Sequence, residues 1–447
     1  MHLYYFTKRE FTSCSKFKCN RTITRMINEI RFSSYFRFNT SKYPQSLTKF
    51  GICRKLSSNK SDIDISLNLA NILRAFRTRG HLAAQIDPLS YMEADKKENR
   101  TWRFHVNKKN KVDIVQLISK SEFDLDVFGL ENIDVNKEYY LGKEVRIRDK
   151  SYWKIIDFIN YLKDAYCGSV GVEYMHIDND EEINWLESKI EGKLGPLKWS
   201  DINSSEKLNY LSILQKTHLT AEFLGKKFSS AKVFGIEGSE ALVVSMWAIF
   251  QRSSEMGIEG IEMGMAHRGR MNILQNVLGK SLSSICNQFN ESEHNISDVK
   301  YHLGTRAEIQ LQGEGGNVKK LHVSLAANPS HLEAVNSVVI GKTKATQFYV
   351  GDHSMDRIIP LIIHGDASFS GQGIVSEVLE LSNHPDYTVG GCIHVIVNNQ
   401  VGFTTNPREV RYSYQCTNVA KGIEVPIFHV NGDDGSLFLL LLKCFNV

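Results

Sequence analysis

Several features that mark specialised classes of protein are missing from this sequence of 447 residues. It contains no apolar run close to the roughly 20 residues that a membrane-spanning helix needs, so no membrane span is expected. Its eight cysteines are scattered and include no Cys-x-x-Cys pair, which argues against a disulfide framework and against a thiolate zinc site. The composition, with 42% hydrophobic and 23% charged residues, is that of a globular protein with an ordinary core.

Acidic residues are almost absent from residues 1–58, which hold twelve Lys and Arg but only Glu10 and Glu29. Without this segment, the 54 basic and 50 acidic residues of the chain become 42 and 48, a net charge of −6. Such a mildly acidic remainder lacks the basic surface that nucleic-acid binding requires, so nucleic acid is not an expected partner. The Arg-rich, Ser/Thr-rich leader is typical of a mitochondrial transit peptide, and a basic tail without a targeting role is the alternative.

Two regions of helical character follow the leader. Residues 59–112 comprise an N-terminal arm and a charged linker, and the apolar spacing of residues 65–79 predicts a helix that Gly80 ends. Residues 113–228 show amphipathic spacing, most clearly over residues 152–166, and predict a helical region that packs against another layer. The second region contains no polar cluster that suggests chemistry.

The character of the sequence changes over residues 229–434, where short apolar runs alternate with helical stretches, as in the βαβ units of a buried parallel sheet. The predicted strands cover residues 260–266, 321–327, 358–364 and 392–397. Each run is followed by a polar motif, namely HRGR at 267–270, NPSH at 328–331, GDAS at 365–368 and NNQ at 398–400. The carboxyl ends of parallel strands share one edge, so the four motifs are expected to converge on one site of an α/β domain.

Residues 358–401 carry the most specific chemical signal. A strand leads into Gly365-Asp366, a glycine-containing loop, a helix and a second strand, and Asn399 follows 33 positions after Asp366. This spacing brings a carboxylate and an amide oxygen to neighbouring strand ends, and such oxygens suit Mg²⁺ bridged to phosphate. The start of the helix adds N–H groups that can face a phosphate. A metal-bridged diphosphate is therefore the predicted ligand.

Five segments in one order extend this signal: MGMAHRGRMNIL (263–274), DVKYHLGT (298–305), NPSHLEAVN (328–336), HGDASFSGQGI (364–374) and VNNQVGFTT (397–405). Together they resemble the thiamine diphosphate-dependent 2-oxoglutarate dehydrogenase family over residues 66–434. The resemblance implies a helical N-terminal region followed by a transketolase-like, thiamine diphosphate-binding parallel-sheet domain. It also implies that residues 66–89 belong to an arm that contacts partner subunits.

The family pattern, carried over residue by residue, implies roles for eight positions. The implied metal ligands are Asp366, Asn399 and the backbone carbonyl of Val401. The implied cofactor contacts are these three residues and Arg268. The implied catalytic residues are His267, His302 and His331, and the implied substrate contacts are His267, His302 and Ser324. Residues 330–333 also fit a helix capping box, which is a structural alternative for His331.

The resemblance also implies an activity and partners. It implies an oxidoreductase that decarboxylates 2-oxoglutarate with thiamine diphosphate and Mg²⁺, in the citric acid cycle. The succinyl group would pass to the lipoyl group of dihydrolipoyl succinyltransferase, and dihydrolipoyl dehydrogenase would complete the complex in the mitochondrial matrix. At full length the decarboxylating component would be a homodimer. Histidine and arginine side chains suit such a substrate, because they can hold both of its carboxylates.

Three alternatives remain open at this point. 2-Oxoadipate is a second possible substrate, because one methylene changes the energetics of a pocket by only about 1–3 kcal/mol. A non-catalytic chain that only docks on the complex is a second possible function. A zinc hydrolase that uses His364, His384 and His394 is the least favoured, since no metal-binding histidine spacing occurs on one helix.

The final residues depart from the family pattern. Family members continue for several hundred residues with a domain that grips the aminopyrimidine of the cofactor. Here residues 435–447 are instead rich in apolar side chains. We expect a truncated or mispredicted product in which residues 435–447 are not native to the fold and activity is in doubt, and lineage-specific divergence is the alternative.

Overall fold

The computed structural model describes residues 2–5, 62–87, 125–130, 133–141, 147, 150–194, 202–231, 234–291, 301–312, 317–402, 404–405, 409–411 and 413–434. Four residues of the predicted transit peptide, His2–Tyr5, form a strand. The rest of that leader, most of the predicted linker and residues 435–447 lie outside the described residues.

The helices in chain order are α1 (Asp62–Ala83), α2 (Ile155–Tyr166), α3 (Asp180–Lys189), α4 (Ser204–Lys227), α5 (Ala241–Glu255), α6 (Leu282–Glu291), α7 (Ala334–Val350), α8 (Asp366–Gly371) and α9 (Ile374–Leu381). The strands are β1 (His2–Tyr5), β2 (Glu138–Tyr140), β3 (Tyr152–Lys154), β4 (Val170–Glu173), β5 (Gly260–Met265), β6 (Thr305–Gln312), β7 (Val318–Leu325), β8 (Ile358–Gly365), β9 (Ile393–Val397) and β10 (Ile427–Asn431). None of the described helices combines the length and the apolar character needed to cross a membrane.

A five-stranded sheet with the order β6-β7-β5-β8-β9 forms the centre of the α/β domain. Strands β7, β5, β8 and β9 run parallel, and all four were predicted from their apolar runs. Every residue of β5 and β9 is buried, as expected for a sheet covered on both faces. The prediction of an α/β domain with a parallel sheet is therefore confirmed. Strand β6, which is antiparallel to β7 at the edge, was not predicted.

The loop predicted after Gly365-Asp366 is instead a short helix. Helix α8 begins directly at Asp366, with Gly365 as its N-cap residue in extended conformation. Gly373, with a φ of 82°, then separates α8 from α9. Helix α9 has the bounds that the apolar pattern predicts.

The predicted helical region contains strands as well as helices. Residues Glu138–Tyr140 and Tyr152–Lys154 pair antiparallel, and Val170–Glu173 joins another sheet. The helix predicted from residue 152 begins only at Ile155, because Lys154 is extended (φ −68°, ψ 136°) and the side chains before it alternate between exposed and buried. Helices α2, α3 and α4 make up most of the rest.

Gly80 does not end the first helix, contrary to the sequence prediction. Helix α1 continues through Gly80 to Ala83. A Cβ atom at Gly80 would lie 2.5 Å from the Cβ atom of Tyr166 on α2. The glycine therefore allows α1 and α2 to pack closely, and the helix continues for three residues beyond it.

The N-terminal region and the α/β domain share a second sheet, with the order β1-β10-β4. Strand β10 comes from the α/β domain and pairs antiparallel with β4 of the preceding region. Buried apolar side chains from both regions also form one continuous cluster. The boundary predicted at residue 228 is thus not a break in the core.

A buried carboxylate joins the same two regions. Glu173 at the end of β4 lies 2.7 Å from Nε2 of His429 and 3.2 Å from Nε2 of His81, and Lys421 also pairs with it. Burial disfavours its charged form, but the hydrogen bond with His429 and the nearby positive charges hold the pKa of Glu173 below its usual range. Burial lowers the pKa of His81 to about 4, so its imidazole is neutral at pH 7.

Candidate active site

The polar motifs meet at one edge of the five-stranded sheet. Because β5, β7, β8 and β9 are parallel and in register, the segments that follow them all leave at their carboxyl ends. Strand β6 runs in the opposite direction, so the residues before it, 301–304, lie at this edge too. The structure thereby brings five loop segments together, including the one that carries His302.

Asp366 is the most buried of the three predicted metal ligands, with 1% of its surface exposed. Its Oδ2 atom lies 3.2 Å from Nη1 of Arg411, and the backbone N–H of Gln400 also donates to the carboxylate. Its Oδ1 atom is buried and has no hydrogen-bond partner among the described residues. Burial raises the pKa of Asp366, and Arg411 opposes that rise. A buried carboxylate oxygen without a protein partner fits a ligand for a cation.

Asn399 and Val401 lie on the loop after β9, beside Asp366. The Oδ1 atom of Asn399 accepts a hydrogen bond of 3.0 Å from the backbone N–H of Val401. Gln400 between them is left-handed, with a φ of 58°, and its N–H reaches the Asp366 carboxylate. An amide oxygen has a second lone pair, so this turn leaves Asn399 able to bind a cation. The three predicted metal ligands are thus on adjoining loops, and their role stays a prediction.

The aromatic ring of Phe234 packs between the two segments that carry His267 and His302, the histidines predicted to contact the substrate. We call this part of the edge the substrate side. Its centroid is 4.1 Å from that of His267 and 5.0 Å from that of Tyr301, the residue before His302. His267 and His302 are both half-buried. The neighbouring Arg268 is exposed, as a contact for a bound cofactor requires.

Two buried polar atoms on the substrate side lack hydrogen-bond partners among the described residues. They are Nδ1 of His302 and Oδ1 of Asn328, and their segments are joined by a 3.1 Å hydrogen bond from the Asn328 N–H to the His302 carbonyl. Unsatisfied buried polar atoms are costly in a core but expected where a polar ligand binds. Asn328 was part of a predicted motif, but sequence reasoning gave it no role.

His331 and Ser324 have different surroundings from the other predicted residues. His331 is exposed on the loop before α7. Ser324 lies on β7 opposite Glu262 of β5, where its hydroxyl accepts from Lys342 of α7 and Lys342 also pairs with Glu262. Ser324 therefore faces α7 rather than the loops that hold His267 and His302. Its substrate role stays a prediction that the geometry does not favour.

Comparison with known proteins shows which family the residues around this edge match. The pattern of the dehydrogenase E1 component family matches residues 221–438, which include all eight predicted site residues. These residues belong to the dehydrogenase E1 component family. The matched residues contain the whole five-stranded sheet. We call this part of the chain the E1 domain from here on.

Proteins that match most of the chain have names that are consistent with the family of the E1 domain. The chain is 38% identical over 395 residues to "2-oxoglutarate dehydrogenase, mitochondrial" of Caenorhabditis elegans, covering 87% of this chain and 36% of that protein. It is 40% identical over 399 residues to "2-oxoglutarate dehydrogenase-like, mitochondrial" of Xenopus laevis, covering 88% and 37%. It is also 38% identical over 372 residues to "2-oxoglutarate dehydrogenase E1 component" of Haemophilus influenzae, covering 82% and 36%. The chain spans just over a third of the length of these relatives, and the resemblance predicted from its motifs is confirmed.

A chain of buried polar side chains lies beneath the loops of the E1 domain. Oε2 of Glu333 is 3.4 Å from Nδ1 of His364 and accepts a 2.8 Å hydrogen bond from Asn336, and Nε2 of His364 is 2.9 Å from Nδ1 of His394. Burial disfavours the charged form of Glu333, but its hydrogen bonds outweigh that effect and lower its pKa. The capping box predicted over residues 330–333 is not formed, because α7 begins at Ala334 and its N-cap residue is Glu333 rather than Ser330.

The arrangement does not favour the zinc alternative. His364 and His394 contact each other, but His384 lies on an exposed turn beside Asp386. In the part of the chain that the structure describes, no group of three or more His, Cys, Asp and Glu side chains is placed to hold a metal ion. The cation site of the E1 domain would therefore combine one carboxylate with amide and carbonyl oxygens, a donor set that suits Mg²⁺ better than Zn²⁺.

Arg411 is a contact of the site that the sequence did not reveal. Its guanidinium pairs with Asp366, and only 8% of its side chain is exposed. Nothing in its neighbourhood in the sequence resembles a motif, and the pairing spans 45 positions. A basic residue near the NNQ loop was the only available signal.

Proposed function

We propose that the E1 domain of this chain binds thiamine diphosphate and Mg²⁺ and takes part in the oxidative decarboxylation of 2-oxoglutarate. The product would be a succinyl group transferred to the lipoyl group of dihydrolipoyl succinyltransferase, with dihydrolipoyl dehydrogenase as the third component. We place this reaction in the citric acid cycle of the mitochondrial matrix, with the decarboxylating component as a homodimer at full length. The relatives named as 2-oxoglutarate dehydrogenases support this proposal.

One observation carries the metal part of the proposal: the buried Oδ1 atom of Asp366, at the start of α8, has no hydrogen-bond partner among the described residues. Asp366, Asn399 and the carbonyl of Val401 would hold Mg²⁺, and Arg268 would contact the diphosphate. Thiamine diphosphate, when bound, supplies the nucleophilic carbon and the electron sink that decarboxylation of a 2-oxo acid needs. Arg411 orients the Asp366 carboxylate, and Arg411 and the Gln400 N–H oppose the rise in its pKa that burial causes.

The substrate part rests on His267 and His302. Packing of Phe234 against His267 and Tyr301 limits the movement of the His267 imidazole and of the segment that carries His302, so their N–H groups can be preorganised for a carboxylate or for a developing negative charge. The unpartnered atoms on His302 and Asn328 are further candidates for contact with a polar substrate. 2-Oxoadipate stays a second candidate substrate, since it differs by one methylene.

Cofactor titration tests the proposal. Asp366→Ala should weaken Mg²⁺-dependent thiamine diphosphate binding, measured by calorimetry, by at least about 100-fold, because it removes a direct metal ligand rather than an outer-shell partner. Asp386→Ala, at an exposed carboxylate beside His384, is the matched control and should bind normally. Equal binding by Asp366→Ala and the unaltered chain would exclude the assignment. Release of CO₂ from 2-oxoglutarate and 2-oxoadipate, with ferricyanide as acceptor, then compares the substrates.

A further inference from the structure

Arg270 is the largest of the fully buried side chains, and its guanidinium binds backbone carbonyls rather than a carboxylate. Nη1 donates to the carbonyl of Met265 at 2.9 Å, and Nη2 donates to that of Ala326 at 2.5 Å. Nε and Nη2 together donate to the carbonyl of Leu303, at 3.1 and 2.9 Å. One side chain therefore closes four hydrogen bonds to three separate loops.

Each of these carbonyls lies beside a residue of the substrate side. Met265 ends β5, two positions before His267, and Leu303 directly follows His302. Ala326 opens the segment that leads to Asn328 and His331. The three loops come from different parts of the chain, and Arg270 is the common donor that contacts all of them.

We propose that Arg270 is a positioning residue of the active site, which fixes the loops of His267, His302 and Asn328 relative to one another. This role rests on the proposed function, since it assigns those loops to the substrate. An arginine suits it, because its planar fork presents five N–H donors in fixed directions, whereas lysine offers one nitrogen. Three carbonyls at different angles therefore need a guanidinium.

Burial supplies a second contribution. It lowers the pKa of Arg270 only to about 10, so the side chain stays positively charged at pH 7. The charge is held behind the loops and out of water, where it is weakly screened. A fixed positive charge at this place favours an anionic substrate without touching it.

Gly304 offers an independent way to disturb the same assembly. A Cβ atom at this position would lie 2.6 Å from the carbonyl oxygen of Leu325 and 2.9 Å from the nitrogen of Ala327. Alanine here would push residues 301–304 away from the end of β7, and it would leave Arg270 itself unchanged.

Hydrogen exchange of the full chain, read by mass spectrometry, tests the proposal without any ligand. In Arg270→Lys, the amides of residues 266–269, 301–304 and 326–331 should exchange at least about 10-fold faster, and those of β8 and α8 should not change. Arg252→Lys is the matched control, since Arg252 forms an ordinary pair with Glu255 on α5. A rise in only one loop, or an equal rise throughout the E1 domain, would overturn the positioning role.

Gly304→Ala covers the case in which Arg270→Lys does not fold. Faster exchange should appear in residues 301–304 and pass to residues 266–269 through Arg270. It should still do so when Phe234→Leu weakens the ring contacts between these loops. Unchanged exchange in residues 266–269 of the double variant would overturn the proposal.

Affinity for 2-oxoglutarate in the presence of thiamine diphosphate and Mg²⁺ separates the two levels of inference. Arg270→Lys should lose at least about 10-fold in affinity for 2-oxoglutarate and keep its affinity for the cofactor. Selective loosening of the loops with unchanged affinity for the substrate would overturn the positioning role. If the unaltered chain binds no 2-oxoglutarate, the proposed function fails, and the exchange experiment still decides whether Arg270 couples the loops.

Discussion

Two buried charges lie at the same edge of the sheet, and the fold treats them differently. The four hydrogen bonds of the Arg270 guanidinium all end on backbone carbonyls. The Asp366 carboxylate has one oxygen paired with Arg411 and one without a partner among the described residues. Because burying an unsatisfied polar atom costs free energy, a fold retains one where a ligand satisfies it. The comparison distinguishes Arg270, whose charge stabilises the fold, from Asp366, whose charge is available to bind a ligand.

The largest expected effect on stability comes from replacing Arg270, the residue that stabilises the fold. Arg270→Met should lower the free energy of unfolding by about 3–5 kcal/mol, because three buried carbonyls lose their donors. Asp366→Asn keeps the shape of the side chain and an oxygen that can accept from Arg411, and burial already disfavours the charged carboxylate, so this variant should change that free energy by less than about 1 kcal/mol. Urea denaturation of both variants without cofactor measures the difference. Similar losses in the two variants would remove the distinction between scaffold and ligand site.

Glu333 tests whether a buried charge must be positive to stabilise the fold. It is an anion like Asp366, but its carboxylate is satisfied by Asn336 and His364, as Arg270 is satisfied by its carbonyls. Glu333→Ala should therefore behave as a scaffold variant and lose about 1–3 kcal/mol of stability, because it leaves buried polar groups unpaired. Glu333→Gln, which can still accept both hydrogen bonds, should lose about half as much in the same urea experiment. A neutral outcome for Glu333→Ala would group it with Asp366.

The smallest expected effect concerns the pH dependence of the third buried cluster, around Glu173. The pKa of His81 is about 4 in the folded chain and near 6.5 when unfolded, so the unfolded chain binds more protons between these values. Stability should therefore fall as the pH is lowered, and His81 alone should remove about 1 kcal/mol between pH 7 and pH 5.5. The contribution of Glu173, whose pKa is depressed, is lost only below its unfolded pKa near 4.5 and does not enter this window.

Urea midpoints at the two pH values check this expectation. His81→Gln should reduce the loss of stability between pH 7 and pH 5.5. His384→Gln, at an exposed histidine, should leave that loss unchanged. A pH dependence that is the same in all three chains would show that His81 does not resist protonation.

Much of the E1 domain could be predicted, because its strands are buried on both faces. Continuous apolar runs marked β5, β8 and β9, and the polar residues that follow them marked the site edge. Strand β6 escaped because it alternates exposed and buried residues at the edge of the sheet and forms no such run. Local patterns thus identified the fully buried strands, including β9 at the other edge of the sheet, better than the half-exposed β6.

The features that were missed depend on contacts between distant parts of the chain. A glycine after a helical pattern usually ends the helix, and only the packing of α1 on α2 explains Gly80. Arg411 reaches Asp366 across 45 positions, and Arg270 reaches Leu303 and Ala326 across 33 and 56. No periodicity records such pairings, so the carboxylate could be predicted while its counter-charge could not.

The sheet shared by β4 and β10 has a consequence for how the protein is made. Glu173 meets His429 across 256 positions, so a ribosome must add all of the intervening residues before the pairing can form. Until then, β4 lacks the strand that pairs with it and Glu173 lacks both His429 and Lys421, which is a state prone to wrong pairing. The N-terminal region therefore cannot finish folding ahead of the E1 domain. A chaperone that covers β4 during translation would protect this edge until β10 has been made.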